Sequence, residues 1–338
     1  MKQLLISAAL VCVAVSCTKE KPVVDTSNDL IGILTGNDEA ANEAVKDLRL
    51  VSCGDDCVYE YDKNGSLTAV IDNYSPLGFK AYSKNNFTIE KTDRDGNRVV
   101  VSFDIKDGVI QSILSKVSML EFTAALKYNP LGQISSIRIE GGGDNAGRSV
   151  SYEALISMNY DISSHRLRRI IGDEWTKNLI NNEVVYSTSS TTAIEYEYTR
   201  KQQNTFCQYT PYLANGILLP DPFSFLAADM FYFESFVYVG LFGKASYEIP
   251  TGETDFYMWS ENGEARQEIT NTYELSCSFN SDGTISNADN YAYKYVKIGT
   301  RGSDTGNSSG IASERHHRPH RGSALERQRR FLLDGATE

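Results

Sequence analysis

Tyr61-Asp62-Lys63-Asn64-Gly65-Ser66-Leu67, followed by Val70, is the stretch that decides the fold. An aromatic residue ends one alternating run, a polar quartet closing on glycine turns the chain, and apolar residues then resume. Glycine supplies the positive φ that a tight hairpin turn requires, and Asn/Asp-Gly between alternating hydrophobics is a strong local hairpin signal. The unit returns as Phe103 to Gly108 with Ile110 and Ile113, and as Tyr128 to Gly132 with Ile134 and Ile137. It returns again as Tyr160 to His165 with Leu167 and Ile170, and as Phe279 to Gly283 with Ile285 and Ala288.

Further strand-like runs lie between these copies: Asn86 to Lys91, Arg98 to Phe103, Met119 to Tyr128, Ser151 to Tyr160, Ala193 to Tyr198 and Thr270 to Phe279. Turn signals recur about every ten residues and no βαβ alternation is visible, which disfavours a parallel sheet. The expectation is an all-β domain over 45–299: a large antiparallel meander, strongly curved or barrel-like, that hides its edges by closing or curling. One stretch differs. From Ile217 to Lys244 the residues Phe223, Leu226, Ala227, Met230, Phe233, Val237 and Leu241 recur at helical spacing, bounded by Pro220 and Pro222 before and Gly240 and Gly243 after. This predicts one or two short helices packed on or in the sheet. A membrane-spanning reading would put Asp229 and Glu234 into hydrocarbon at a few kcal/mol each.

The N-terminus carries an address. Lys2 precedes an apolar run from Leu4 to Val15, which ends in Ala14-Val15-Ser16-Cys17. A charged start, a short apolar region and small residues before the cut describe an export signal over 1–16, and the cysteine at the cut makes it resemble a bacterial lipoprotein signal. The apolar run falls short of the roughly 20 residues that a spanning helix needs. That resemblance implies acylation at Cys17, and with more than one chain attached the anchorage is effectively permanent. Residues 17–44 then read as the lipidated cysteine and a tether, and the expected partner through the anchor is the membrane.

Composition narrows the partners further. The formal net charge is -11 over 338 residues, and 20 Tyr with 14 Phe provide a sizeable aromatic core. With no basic field to neutralise phosphates, nucleic acid is not an expected partner. From Thr300 the composition changes abruptly: residues 300–338 hold seven Arg, three of the four His and no Lys. Such a tail predicts disorder, and the reversal of Lys/Arg usage fits a read-through or altered reading frame.

Outside the signal and the anchor, four cysteines remain, Cys53, Cys57, Cys207 and Cys277. In Cys53-Gly54-Asp55-Asp56-Cys57 two thiols flank a turn signal, so a cross-strand disulfide and a pair of buried thiols both fit. A metal site lacks a second ligand pair nearby, and no cofactor is expected.

With the lipobox, the Tyr-x-x-x-Gly hairpins and the segment from Tyr209 through Gly240-Leu-Phe-Gly-Lys-Ala-Ser-Tyr-Glu-Ile-Pro250, the chain resembles a Bacteroidota lipoprotein family of unknown function with a porin-like β fold. The resemblance covers roughly residues 45 to 299, and Gly-Lys-Ala-Ser is its most specific part. It implies a wide, curved or barrel-like antiparallel sheet with the Phe223 to Phe242 segment crossing one mouth or filling the interior. It transfers no activity and no catalytic residue.

Few constellations point to chemistry. Asp93-Arg-Asp95-Gly-Asn97 with Asp104 matches part of a calcium loop, but Arg98 stands where that loop needs glycine and a hairpin turn accounts for it more simply. His165, the only histidine before the tail, sits in a turn beside Arg166, Arg168 and Arg169. Asp173-Glu174 beside Trp175 reads as a charged loop before it reads as a glycosidase pair. The leading expectation is a lipid-anchored envelope protein, on the outer membrane or cell surface, that binds glycan, peptide or an outer-membrane protein partner, or serves structurally. A carboxylate-dependent, glycan-active hydrolase is the alternative.

Overall fold

The computed structural model describes residues 48–54, 57–73, 78–92, 96–117, 119–145, 147–199, 234–246, 248–261, 264–275, 277–288 and 291–297. The lipobox with Cys17, the tether, Cys207, Asp93 to Asp95, most of the 217–244 stretch and the tail lie outside them. By packing, the chain divides into units 1–38 and 39–338, and all described residues belong to the second.

Seventeen strands and one short helix make up this unit among the described residues: β1 (Leu48–Cys53), β2 (Cys57–Tyr61), β3 (Leu67–Asp72), β4 (Phe79–Ala81), β5 (Asn86–Thr92), β6 (Arg98–Lys106), β7 (Val109–Val117), β8 (Leu120–Tyr128) and β9 (Ile134–Asn145) come first. Then follow β10 (Arg148–Tyr160), β11 (Leu167–Ile180), β12 (Glu183–Glu197), α1 (Glu234–Val237), β13 (Gly252–Glu261), β14 (Glu264–Glu274), β15 (Cys277–Phe279), β16 (Ile285–Ala288) and β17 (Tyr291–Lys297). All five repeated units are hairpins, β2–β3, β6–β7, β8–β9, β10–β11 and β15–β16. Their turns are built as the composition demands. Asp62 accepts the amides of Asn64 and Ser66, Asn129 those of Leu131 and Gln133, and Gly65, Gly108, Gly132 and Gly283 all have positive φ.

The strands form two antiparallel sheets. Ten strands, β5 to β14 in sequence order, make an unbroken meander, and seven more run in the order β15-β16-β17-β1-β2-β3-β4. The first and last strands pair, Leu48 opposite Lys297. Every strand thus lies beside its sequence neighbour, or beside its partner at the other end of the chain, except at β4/β5 and β14/β15. The topology is a seventeen-membered ring cut at two seams, and the sheets do not close into a barrel. At each seam the small sheet ends on a three-residue strand, β4 and β15. Short edge strands offer little unpaired backbone for association. The run Thr270 to Phe279, one strand by sequence pattern, is two: β14 of the large sheet ends at Glu274 and β15 of the small sheet begins at Cys277.

Alternation sorts the side chains onto two faces. Val99, Val101, Phe103 and Ile105 of β6, Phe122, Ala124 and Leu126 of β8, and Tyr152, Ala154, Ile156 and Met158 of β10 point into one continuous core. Leu50, Tyr59, Val70, Phe79, Ile285 and Tyr293 of the small sheet join it. Helix α1 is wedged between the sheets. Phe236 is fully buried, with ring centroids 5.4 Å from Phe79, 5.6 Å from Phe87 and 5.2 Å from Phe103. Tyr59 donates its hydroxyl to the Ser235 carbonyl at 3.0 Å, and Tyr238 meets Tyr293 edge-on at 6.0 Å. The described helix spans four residues; the remaining helical spacing, 217–233, lies outside the described residues.

The opposite face is polar. It carries the ion pairs Glu90–Arg98 (2.5 Å), Lys116–Glu121 (2.6 Å), Glu60–Lys80 (2.7 Å) and Arg138–Glu140, with a Thr88–Ser102 hydroxyl contact at 3.1 Å. Exposed pairs of this kind contribute little stability each. Their placement matters more: a bilayer-spanning barrel turns its apolar face outward to lipid, and these strands turn theirs inward. No described helix is long and apolar enough to cross a membrane.

Candidate functional site

Strands β9 to β12 lengthen steadily, from 12 to 15 residues, and outrun the core. On the outer face of this wide region the registers place Glu153, Trp175, Ser189 and Ser260 in one row across β10 to β13, and Leu155, Asp173, Thr191 and Met258 in the next. Trp175 is 45 % exposed, Met258 43 % and Leu155 40 %, so three large apolar side chains share one solvated patch. The polar groups between them are held in place. Thr191 donates to Asp173 at 2.7 Å, and Ser189 and Ser260 join their hydroxyls at 2.8 Å. Strand β11 therefore overturns the expectation of a charged loop at Asp173-Glu174-Trp175. The neighbours alternate, Asp173 and Trp175 outward and Glu174 inward toward Ser190 (3.3 Å), so the two carboxylates do not converge.

The inner face of the same strands changes character toward β13. Glu253 and Asp255 lie on the core side, 3 % and 6 % exposed, beside Tyr196. Burial pushes the Tyr196 phenol well above its ordinary value, and the two carboxylates add to the shift. Tyr160 is raised by burial as well, and Tyr198 is pushed up to about 12, against the pull of the Ser246 hydrogen bond and the nearby Arg166. The guanidinium of Arg166 stands 5.2 Å from the centre of the Tyr198 ring and bonds Glu248 at 2.8 Å.

Residues 241–246 and 248–251 bind this end together as a strap. In chain order, the Leu241 carbonyl accepts from Ile110 (2.8 Å), Lys244 donates to Gly132 (2.8 Å), and the Ala245 carbonyl accepts from the Gln133 side chain (3.1 Å). Ser246 then accepts from the Leu167 amide (3.1 Å), and Thr251 donates to Glu197 (2.8 Å). The strap thus ties the β6–β7, β8–β9 and β10–β11 hairpins and the end of β12. Here lies the physical reason for the specific Gly-Leu-Phe-Gly-Lys-Ala-Ser stretch: Leu241 meets the β6–β7 hairpin, Lys244 and Ala245 the β8–β9 turn, and Ser246 the start of β11. Gly243 has φ +86°, and a Cβ there would collide with the Gly132 carbonyl oxygen and the Tyr128 ring.

The remaining residues singled out by sequence fall as follows. His165 is a turn residue with φ 53°; its amide donates to Asp161 and its carbonyl accepts from Gln133. Arg98 to Asp104 lie within β6, which pairs with β5 from Thr92 opposite Arg98, while Asp93 to Asp95 of the calcium-like spacing lie outside the described residues. Cys53 and Cys57 are direct partners across β1 and β2, and both are buried thiols that this structure does not bridge. No group of three or more His, Cys, Asp or Glu side chains among the described residues is arranged to hold a metal ion. Sequence reading missed the platform because its members lie on four strands. Asp173 and Trp175 were legible in the sequence, and the half-buried Ser/Thr run of β12, Ser187 to Thr192, is a further trace.

No family model matches the chain, and no curated protein matches it. Among solved structures it is similar to a porin-like protein from Bacteroides vulgatus, at 12% identity over 73% of this chain and 97% of that one, with a TM-score of 0.38. It is similar also to a porin-like protein from Bacteroides uniformis, at 12% identity over 74% and 94% of the two chains, with a TM-score of 0.36. The structural neighbours are thus porin-like proteins of Bacteroides, while the lipoprotein family resembled in sequence is matched by no family model.

Proposed function

We propose that this chain is a lipid-anchored protein of the outer membrane or cell surface, held by acylated Cys17, that presents the outer face of β10–β13 to glycan. The observation that carries the binding reading is Trp175, 45 % exposed in the middle of a polar sheet face between fixed carboxylate and hydroxyl groups. An indole face packs against the apolar face of a sugar ring, and Asp173, Ser189 and Ser260 supply acceptors and donors for its hydroxyls. The anchor half rests on the lipobox, and the polar-out strands support a protein that lies against a membrane rather than one that spans it.

A glycan array probed with the chain from Thr18 onward tests the binding half. Binding to at least one saccharide class, weakened about tenfold or more in Trp175→Ala with circular dichroism unchanged, is the expected result. If the array is silent and pull-down from native membranes instead recovers a peptide or an outer-membrane protein that still binds the variant, the glycan reading is wrong. The mass of the mature N-terminus tests the anchor separately: an unacylated Cys17 removes it. Detergent-free behaviour of a chain beginning after Lys21 tests the peripheral placement, and aggregation relieved only by detergent speaks against it. The hydrolase reading has no comparable support, because Glu253 and Asp255 are packed within the core.

A further inference from the structure

We infer that Cys53 and Cys57 are joined in the mature protein by a disulfide that locks the register of the first hairpin. The two residues are direct partners in the β1–β2 ladder, on either side of a three-residue connection that begins with Gly54 at φ 62°. Opposed residues in an antiparallel pair have Cα atoms roughly 4.5–5.5 Å apart, which falls inside the roughly 4.4–6.8 Å window of a disulfide. Direct opposition also puts both side chains on one face, here the core face, where Cys53 and Cys57 are 3 % and 8 % exposed beside Tyr59 and Tyr293. A metal-thiolate site needs further ligands, and the described residues bring no third His, Cys, Asp or Glu into such a group.

Burial sets the order of events. Thiol–disulfide exchange needs an accessible thiolate, so the bridge closes before β1 docks against β17 and the sheets pack. One thiolate attacks a disulfide oxidant such as oxidised glutathione, forming a mixed disulfide and releasing one reduced glutathione. The second thiolate then displaces the other glutathione. Two cysteine protons and two electrons leave the chain, and one oxidised glutathione becomes two reduced ones. The closed loop is small, so the bridge restrains the unfolded chain only modestly. Its effect is on register: β1 carries an irregularity between Leu50 and Ser52 against β17, and the bridge keeps β2 from slipping while that pairing forms.

Refolding the full chain from denaturant in defined mixtures of oxidised and reduced glutathione tests this without reliance on export or acylation. After maleimide trapping and digestion without reductant, the tryptic peptide Leu50–Lys63 is expected two hydrogens lighter than the dithiol and unlabelled, and to take two labels only after reduction. Cys277 should be labelled throughout. The thermal midpoint of the refolded chain should fall on reduction, whereas that of Cys53→Ala/Cys57→Ala should not respond to the redox buffer. Two labels on Leu50–Lys63 at every glutathione ratio would overturn the inference, as would a Cys53 linkage to Cys277.

Discussion

Gly142 shows how narrowly single positions are set. It lies on β9 between β8 and β10 with φ +155°, and a Cβ there would sit on the carbonyl of Val150 in the next strand. Its neighbours Gly141 and Gly143 are crowded from the other side by the backbones of Glu121 and Met119. Three consecutive glycines in a strand mark close backbone approach rather than a turn. Gly142→Ala is expected to destabilise by more than about 2 kcal/mol, lowering the urea midpoint while the m-value stays the same. Asp161 offers the opposite case of a residue readable from its neighbours. Its carboxylate accepts from the Ser163 hydroxyl (2.6 Å) and the Ser163 and Ser164 amides (2.9 Å each), and these bonds hold its pKa well below the usual carboxylate range.

At the scale of elements, α1 and the strap do what no single strand does. Helix propensity is a minor matter in a four-residue helix, whose stability comes from where it packs. Phe236 fills the space between Phe79 of one sheet and Phe87 and Phe103 of the other. Phe236→Ala is expected to cost about 3–5 kcal/mol and to loosen both sheets together. Hydrogen exchange checks it: protection should fall in β4 and in β5–β6 alike, and a loss confined to residues 234–246 would count against the wedge. The family resemblance implies that Phe223 to Phe242 crosses one mouth or fills the interior; of that segment residues 234–242 are described, and there α1 fills the space between the two sheets.

Across the whole molecule, buried phenols set a limit at high pH. Tyr59, Tyr196 and Tyr293 have pKa values raised well above 10.0, chiefly by burial, and Tyr61, Tyr128, Tyr160 and Tyr198 are raised too. Between the unfolded value near 10 and the higher folded values, the native state keeps protons that the unfolded chain releases, so stability is full below pH 10 and falls as pH rises. Each fully buried phenol withdraws on the order of 1 kcal/mol per pH unit in that window. In an alkaline titration, tyrosinate absorbance is expected to appear in step with loss of the β circular dichroism signal. A gradual rise with the fold intact would show these phenols to be accessible.

Much of this architecture was legible in the chain because hairpins are local: an aromatic residue, a turn closing on glycine and the return of apolar alternation lie within ten residues, as in Tyr61 to Val70. The pairing of Leu48 with Lys297, the seams at β4/β5 and β14/β15, the strap's contacts and the rows that bring Trp175 beside Ser189 and Ser260 were decided only in three dimensions. The reason is physical: local signals specify each turn and each face, whereas the choice of distant partners depends on which strands can bury their apolar faces together, a sum over the entire core that no short stretch contains.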